Sequence, residues 1–124
     1  MNKPKDASWR RAPRLSMDLP GSLCGRSARE VKVVDLSLTG CLVQGDAPLD
    51  RGVILDLTVN LGKGPLATKV RVSESSVDGT APADSPPRYL TGLEFLALGA
   101  HGDAQLRRFL EEERRRRVAD TPAH

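Results

Sequence analysis

Val53-Ile54-Leu55-Asp56-Leu57-Thr58-Val59-Asn60-Leu61 alternates apolar and polar residues almost without a fault, placing Val53, Leu55, Leu57, Val59 and Leu61 on one face. A period of two is the signature of a strand with one face buried and one wet. The segment Gly62-Lys63-Gly64-Pro65 follows as a tight connection, and Leu66 to Val72 returns as the hairpin partner. Gly62-Lys63-Gly64 also resembles part of a phosphate loop. It lacks the GxxxxGK[ST] spacing and the following helix, so the turn is the better reading.

Working outward from this hairpin, strand chemistry recurs in both directions. Leu15 to Gly25 alternates Leu15, Met17, Leu19 and Leu23 but is interrupted by Pro20 and Gly21, which predicts a bent or bulged edge strand. Glu30 to Leu36 is rich in β-branched residues, and Cys41 to Gln44 is a short apolar run closed by Gly45, Asp46 and Pro48. Downstream, Ser75 to Pro87 is almost devoid of apolar residues and is expected to be a long flexible loop, after which Tyr89 to Leu98 resumes as a strand. Six strands without intervening helices predict an all-β fold, an antiparallel barrel or sandwich. One helix is expected after it, from Asp103 as N-cap to Arg117, burying Leu106, Phe109 and Leu110. Residues 1–8 and 118–124 are expected to be disordered tails around a domain at 9–117.

The chain has 124 residues, enough for one compact domain. Aromatic residues are only 3% of it, so the core must be aliphatic, with Phe95, Phe109 and Tyr89 as its few large plates. The net charge of +3 is unevenly spread. Residues 1–14 carry five Lys/Arg against Asp6, and residues 107–117 carry six Arg against three Glu, giving +4 and +3 and leaving −4 elsewhere. Such basic ends attract phosphate or acidic protein. The N-terminus is charged without a following apolar run, so no signal peptide is expected and the chain should stay in the cytoplasm, and no stretch is apolar enough to span a membrane. Cys24 and Cys41 then read as reduced strand or core residues. With His101 and His124 they lack the close pairing of a metal site, so neither a metal nor a cofactor is expected.

Two short motifs carry chemistry. Arg10-Arg11-Ala12-Pro13-Arg14 contains RxxxR, and Asp35-Leu36-Ser37-Leu38-Thr39-Gly40 is DxSxxG. An Arg fork can donate two parallel hydrogen bonds to O6 and N7 of guanine or grip a phosphate, whereas a carboxylate accepts from guanine N1–H and N2–H₂. Ser37 offers a hydroxyl that can accept from a base or fix the loop, and Gly40 permits a positive φ or a close backbone approach. Each motif alone is weak. In a chain with 14 Arg, an RxxxR pair arises by chance on the order of once, and DxSxxG can be ordinary hairpin chemistry.

Order, separation and flanking strands together make the chain resemble the PilZ family, small six-stranded antiparallel β-barrels that bind cyclic di-GMP. Gly92-Leu93-Glu94-Phe95 looks like the family's closing strand, and a terminal helix is a common family feature. The resemblance implies that Arg10 and Arg14 wrap the ligand's phosphates and guanines, that Asp35, Ser37 and Gly40 receive a guanine, and that Arg11 adds a phosphate contact. Thr39 stands where many members have glycine. It further implies a receptor or adaptor without catalytic activity, whose arginine-bearing segment orders on the nucleotide and whose closed form is read by a downstream protein. Motility, exopolysaccharide production and biofilm formation are the usual family outputs.

Trp9 precedes the first motif and could stack on a guanine or a guanidinium, or simply cover an apolar patch. The Arg114 to Arg117 run complements the helix dipole and pairs with Glu111 to Glu113, or alternatively docks a partner. Two further readings are a PilZ-like interaction module that binds no nucleotide, and a small nucleic-acid-binding barrel. The scarcity of aromatics and the acidic middle argue against the latter. No nucleophile is placed beside His101 or His124 with an orienting acid, so an enzyme is not expected.

Overall fold

The computed structural model describes residues 15–79, 82 and 84–120. It is a closed six-stranded barrel with one helix: β1 (Leu15–Cys24), β2 (Ala28–Leu36), β3 (Gly40–Gly45), β4 (Ile54–Asn60), β5 (Pro65–Val77), β6 (Tyr89–Ala97) and α1 (Gly99–Asp120). Around the barrel the strands run β1-β2-β3-β6-β5-β4, every pairing antiparallel, with β4 returning to β1. The fold class expected from sequence is therefore the one observed.

Alternation explains which side chains fill it. Leu57 and Val59 of β4 point inward with Leu66, Val70 and Val72 of β5, all essentially without exposure. On the outer face the same register sets Asp56 beside Lys69 at 2.8 Å and Arg71 beside Glu94 at 3.4 Å. These pairs are half exposed and each contributes about 0–1 kcal/mol, whereas each buried Leu or Val contributes about 1.5–3 kcal/mol. The core is wholly aliphatic apart from Cys41. Phe95 and Phe109 are not its central plates but pack on its margin, and Tyr89 is half-buried outside it. A barrel of this size is filled by branched aliphatics, which leaves large rings at its rim.

Four local expectations are corrected. β1 is not an edge strand, because closure gives it β4 as a second partner from Gly21 to Cys24; its irregularity lies between Ser16 and Leu19, ahead of Pro20. Val53 lies before β4 and is 38% exposed, since the chain is still turning at Gly52, whose φ is +88°. Ser75 to Val77 belong to β5 rather than to a loop. A register shift between Val72 and Glu74 turns Ser75 inward, where its hydroxyl meets Thr91 Oγ1 at 2.9 Å and accepts Leu49 N–H at 3.2 Å. Finally, α1 begins at Gly99 and runs to Asp120, so Asp103 is no N-cap: it sits inside the helix, where its carboxylate accepts from Arg107 Nε at 2.7 Å. Gly99, with φ +74°, makes the sharp exit from β6 that lets the helix start earlier.

Leu106 and Leu110 are the buried side chains of α1. The helix starts where β6 ends, and Arg117 at its other end donates to Ser16 O of β1. β6 and β1 lie opposite each other in the strand order, so α1 crosses the mouth of the barrel as a diameter. One flank faces the β2–β3 turn, the other the β4–β5 hairpin, where Lys63 Nζ meets Glu112 at 3.2 Å and Gln105 Nε2 donates to Pro65 O at 3.0 Å.

Candidate functional site: the β2–β3 turn and the start of β1

β2 carries Asp35 to the rim and β3 starts at Gly40, so the whole DxSxxG motif forms one turn. Ser37 holds it. Its side chain has no exposure; Oγ accepts N–H from Thr39 and from Gly40, both at 3.2 Å, and donates to Gly40 O at 3.1 Å. Ser37 N–H bonds the same carbonyl at 2.9 Å. Of the two uses open to this hydroxyl, fixing the loop is the one the geometry displays. Gly40 is buried and extended, paired with Glu94. Positive φ among the described residues belongs to Gly52, Gly62 and Gly99, so the left-handed conformation considered for Gly40 is not used.

Phe95 N–H donates to Thr39 O at 2.9 Å, and thus the Gly92–Phe95 segment pins the turn from its other side. β6 is last in sequence but does not close the barrel; it lies between β3 and β5, and closure is made by β1 with β4. Asp35 is half-buried on β2, at a shift in the β2–β3 register between Val33 and Asp35. Leu15 is opposite Leu36 and Ser16 opposite Asp35, so β1 begins at the level of this turn.

Trp9, Arg10, Arg11 and Arg14 lie outside the described residues. In sequence, Arg14 immediately precedes Leu15, the first residue of β1. Two clefts flank Leu38. One, of about 420 Å³, runs along Thr39, Glu94, Phe95 and Leu98 to Asp103. The second, of about 340 Å³, lies between Leu38 and the α1 residues Arg107, Leu110, Glu111 and Arg114. The helix-borne members of this surface were missed from sequence. Their signal was present, because Arg107 and Arg114 fall at helical spacing on either side of Leu110.

Residues 9–112 match the PilZ domain. The chain belongs to the PilZ domain family. No curated protein matches this member significantly. Among solved structures it is similar to the PilZ domain of YcgR from Escherichia coli with c-di-GMP, at 20% identity and TM-score 0.73 over 90% of this chain and 98% of that one. The K. pneumonia MrkH–c-di-GMP complex gives 18% identity and TM-score 0.75 over 90% of this chain and 55% of that one. Bacillus subtilis MotI/DgrA, an inhibitor of motility, gives 18% and 0.72 over 91% and 53%. The PilZ chain thus spans about half the length of MrkH and of MotI/DgrA, and at these identities the likeness is one of fold.

Among the described residues no group of three or more His, Cys, Asp or Glu is placed to hold a metal ion. No helix among them is long and apolar enough to cross a membrane. Cys24 is exposed and Cys41 buried, both as free thiols. Burial without a compensating charge pushes the Cys41 thiol up to about 12.

Proposed function

We propose that this PilZ protein is a cyclic di-GMP receptor that acts by binding and not by turnover. The register of β1 on β2 carries the proposal: it starts β1, the strand that follows Arg10, Arg11 and Arg14 in sequence, at the level of the turn that bears Asp35. YcgR and MrkH, which share the fold, have been solved with this nucleotide.

In this reading the Asp35 carboxylate accepts from a guanine N1–H and N2–H₂, and Arg10 and Arg14 close over the phosphates or the O6/N7 edge. Arg11 adds a phosphate contact, and Trp9 stacks on an exposed base or guanidinium. Ser37 and Gly40 serve the site through its shape. A turn already cross-linked by Ser37 loses little entropy when a base settles on it, whereas the arginine segment must be ordered by the ligand. The bound form presents a new surface to a downstream protein, in the cytoplasm where the nucleotide is made and read.

Limited trypsin digestion tests the ordering step, because cleavage after Arg11 and Arg14 requires an open segment. Saturating cyclic di-GMP slows cleavage there while GTP does not. Equal cleavage rates with and without the cyclic dinucleotide would refute closure of the segment.

A further inference from the structure

The second flank of α1 carries a cleft of its own. The helix and the β4–β5 hairpin enclose about 400 Å³, with Leu61, Ala104 and Phe109 as an apolar floor. Lys63, Arg108 and Arg116 edge it against Glu112, so its rim is cationic. Arg108 is exposed and makes no hydrogen bond or ion pair in the described structure. Lys63 is 81% exposed and its pair with Glu112 is a surface pair, which yields to an incoming carboxylate at little cost.

We propose that this cleft docks an acidic peptide segment of a partner protein, anchored by one or two leucine or phenylalanine side chains. Length favours a peptide: from His101 to Arg116 the helix edge covers about 22 Å at about 1.5 Å per residue, the span of a short extended segment or a few helical turns. An apolar floor under a cationic rim matches an amphipathic acidic chain. Nucleic acid fits less well, since the cleft offers only Phe109, half-buried against the core, and His101 as rings, too few for a row of stacked bases. A two-fold contact with a second copy would set Arg108 against its own cationic surroundings. The cleft lies across α1 from Leu38 and Asp35, and so the proposal stands whether or not the nucleotide binds.

A random dodecapeptide phage library panned on the full chain supplies the probe. Enriched peptides, synthesised with a fluorophore, are then titrated against wild type, Arg108→Glu and Lys63→Glu. The expected peptides are net negative with a Leu or Phe anchor, and Arg108→Glu weakens them about tenfold or more with an unchanged melting curve. Absence of enrichment, neutral or basic peptides, or equal binding to Arg108→Glu would overturn the proposal. So would a wild-type dimer in sedimentation that Arg108→Glu dissociates, since a second copy would then cover the cleft. Arg108→Glu retains the wild-type response to cyclic di-GMP, which separates failure here from failure at the nucleotide site.

Discussion

Ser37 has no exposed surface, and its hydroxyl satisfies two backbone N–H groups while donating to a carbonyl. Ser37→Ala leaves those donors buried and unpaired, so it should cost about 1–3 kcal/mol in urea unfolding. It should also weaken nucleotide binding by loosening the turn. The motif spelled out a turn with a hydroxyl in it; which way the hydroxyl points depends on burial by β6, which no local pattern encodes. Cys41 gives a second residue-scale prediction. Burial pushes the Cys41 thiol from the ordinary 9.0 up to about 12, so its contribution to stability is complete below pH 9 and is lost as pH rises toward 12. Above pH 9 the slope should be at most about 1.4 kcal/mol per pH unit, measured by chemical denaturation, and Cys41→Ala should remove it. At neutral pH a thiol reagent should label Cys24 and spare Cys41 until the protein unfolds.

At the scale of the element, α1 lids the barrel through Leu106 and Leu110. Leu106→Ala should destabilise by about 2–5 kcal/mol, read from the urea midpoint at unchanged slope. That helix was legible from the spacing of Leu106, Phe109 and Leu110; its start was not, because Gly99 reads as a breaker and Asp103 as a cap until β6 fixes where the strand ends. β4 was legible for the opposite reason, its alternation being strict and its partner adjacent in sequence. The last turnings of β5 were hidden because Ser73 and Ser75 face inward after a bulge, and a polar strand interior looks like a loop. Hydroxyl pairing between Ser75 and Thr91 makes the burial of Ser75 tolerable, whereas Ser73 Oγ is buried without a partner among the described residues.

At the scale of the molecule, the barrel brings to one rim what the sequence keeps apart. β1 starts, β2 ends, β3 starts and the basic end of α1 lies around the same mouth as the turn that holds Asp35. The nucleotide motifs were legible as types and in order; the closed topology adds that β1, the strand following the first motif in sequence, starts at the level of the second. The spacing of Arg107 and Arg114 about Leu110 was legible, but their place in a cleft wall was not, because that depends on the helix crossing the mouth as a diameter. The central claim is a split site, half on the barrel and half on the segment before β1. Isothermal titration of cyclic di-GMP into wild type, Arg14→Ala and Asp35→Ala, with GTP as control, tests it most directly. The account predicts saturable binding to wild type, weakened about 10- to 150-fold by either substitution at unchanged melting temperature, and no response to GTP. Binding that survives both substitutions unchanged, or no binding by the wild-type chain, would contradict it.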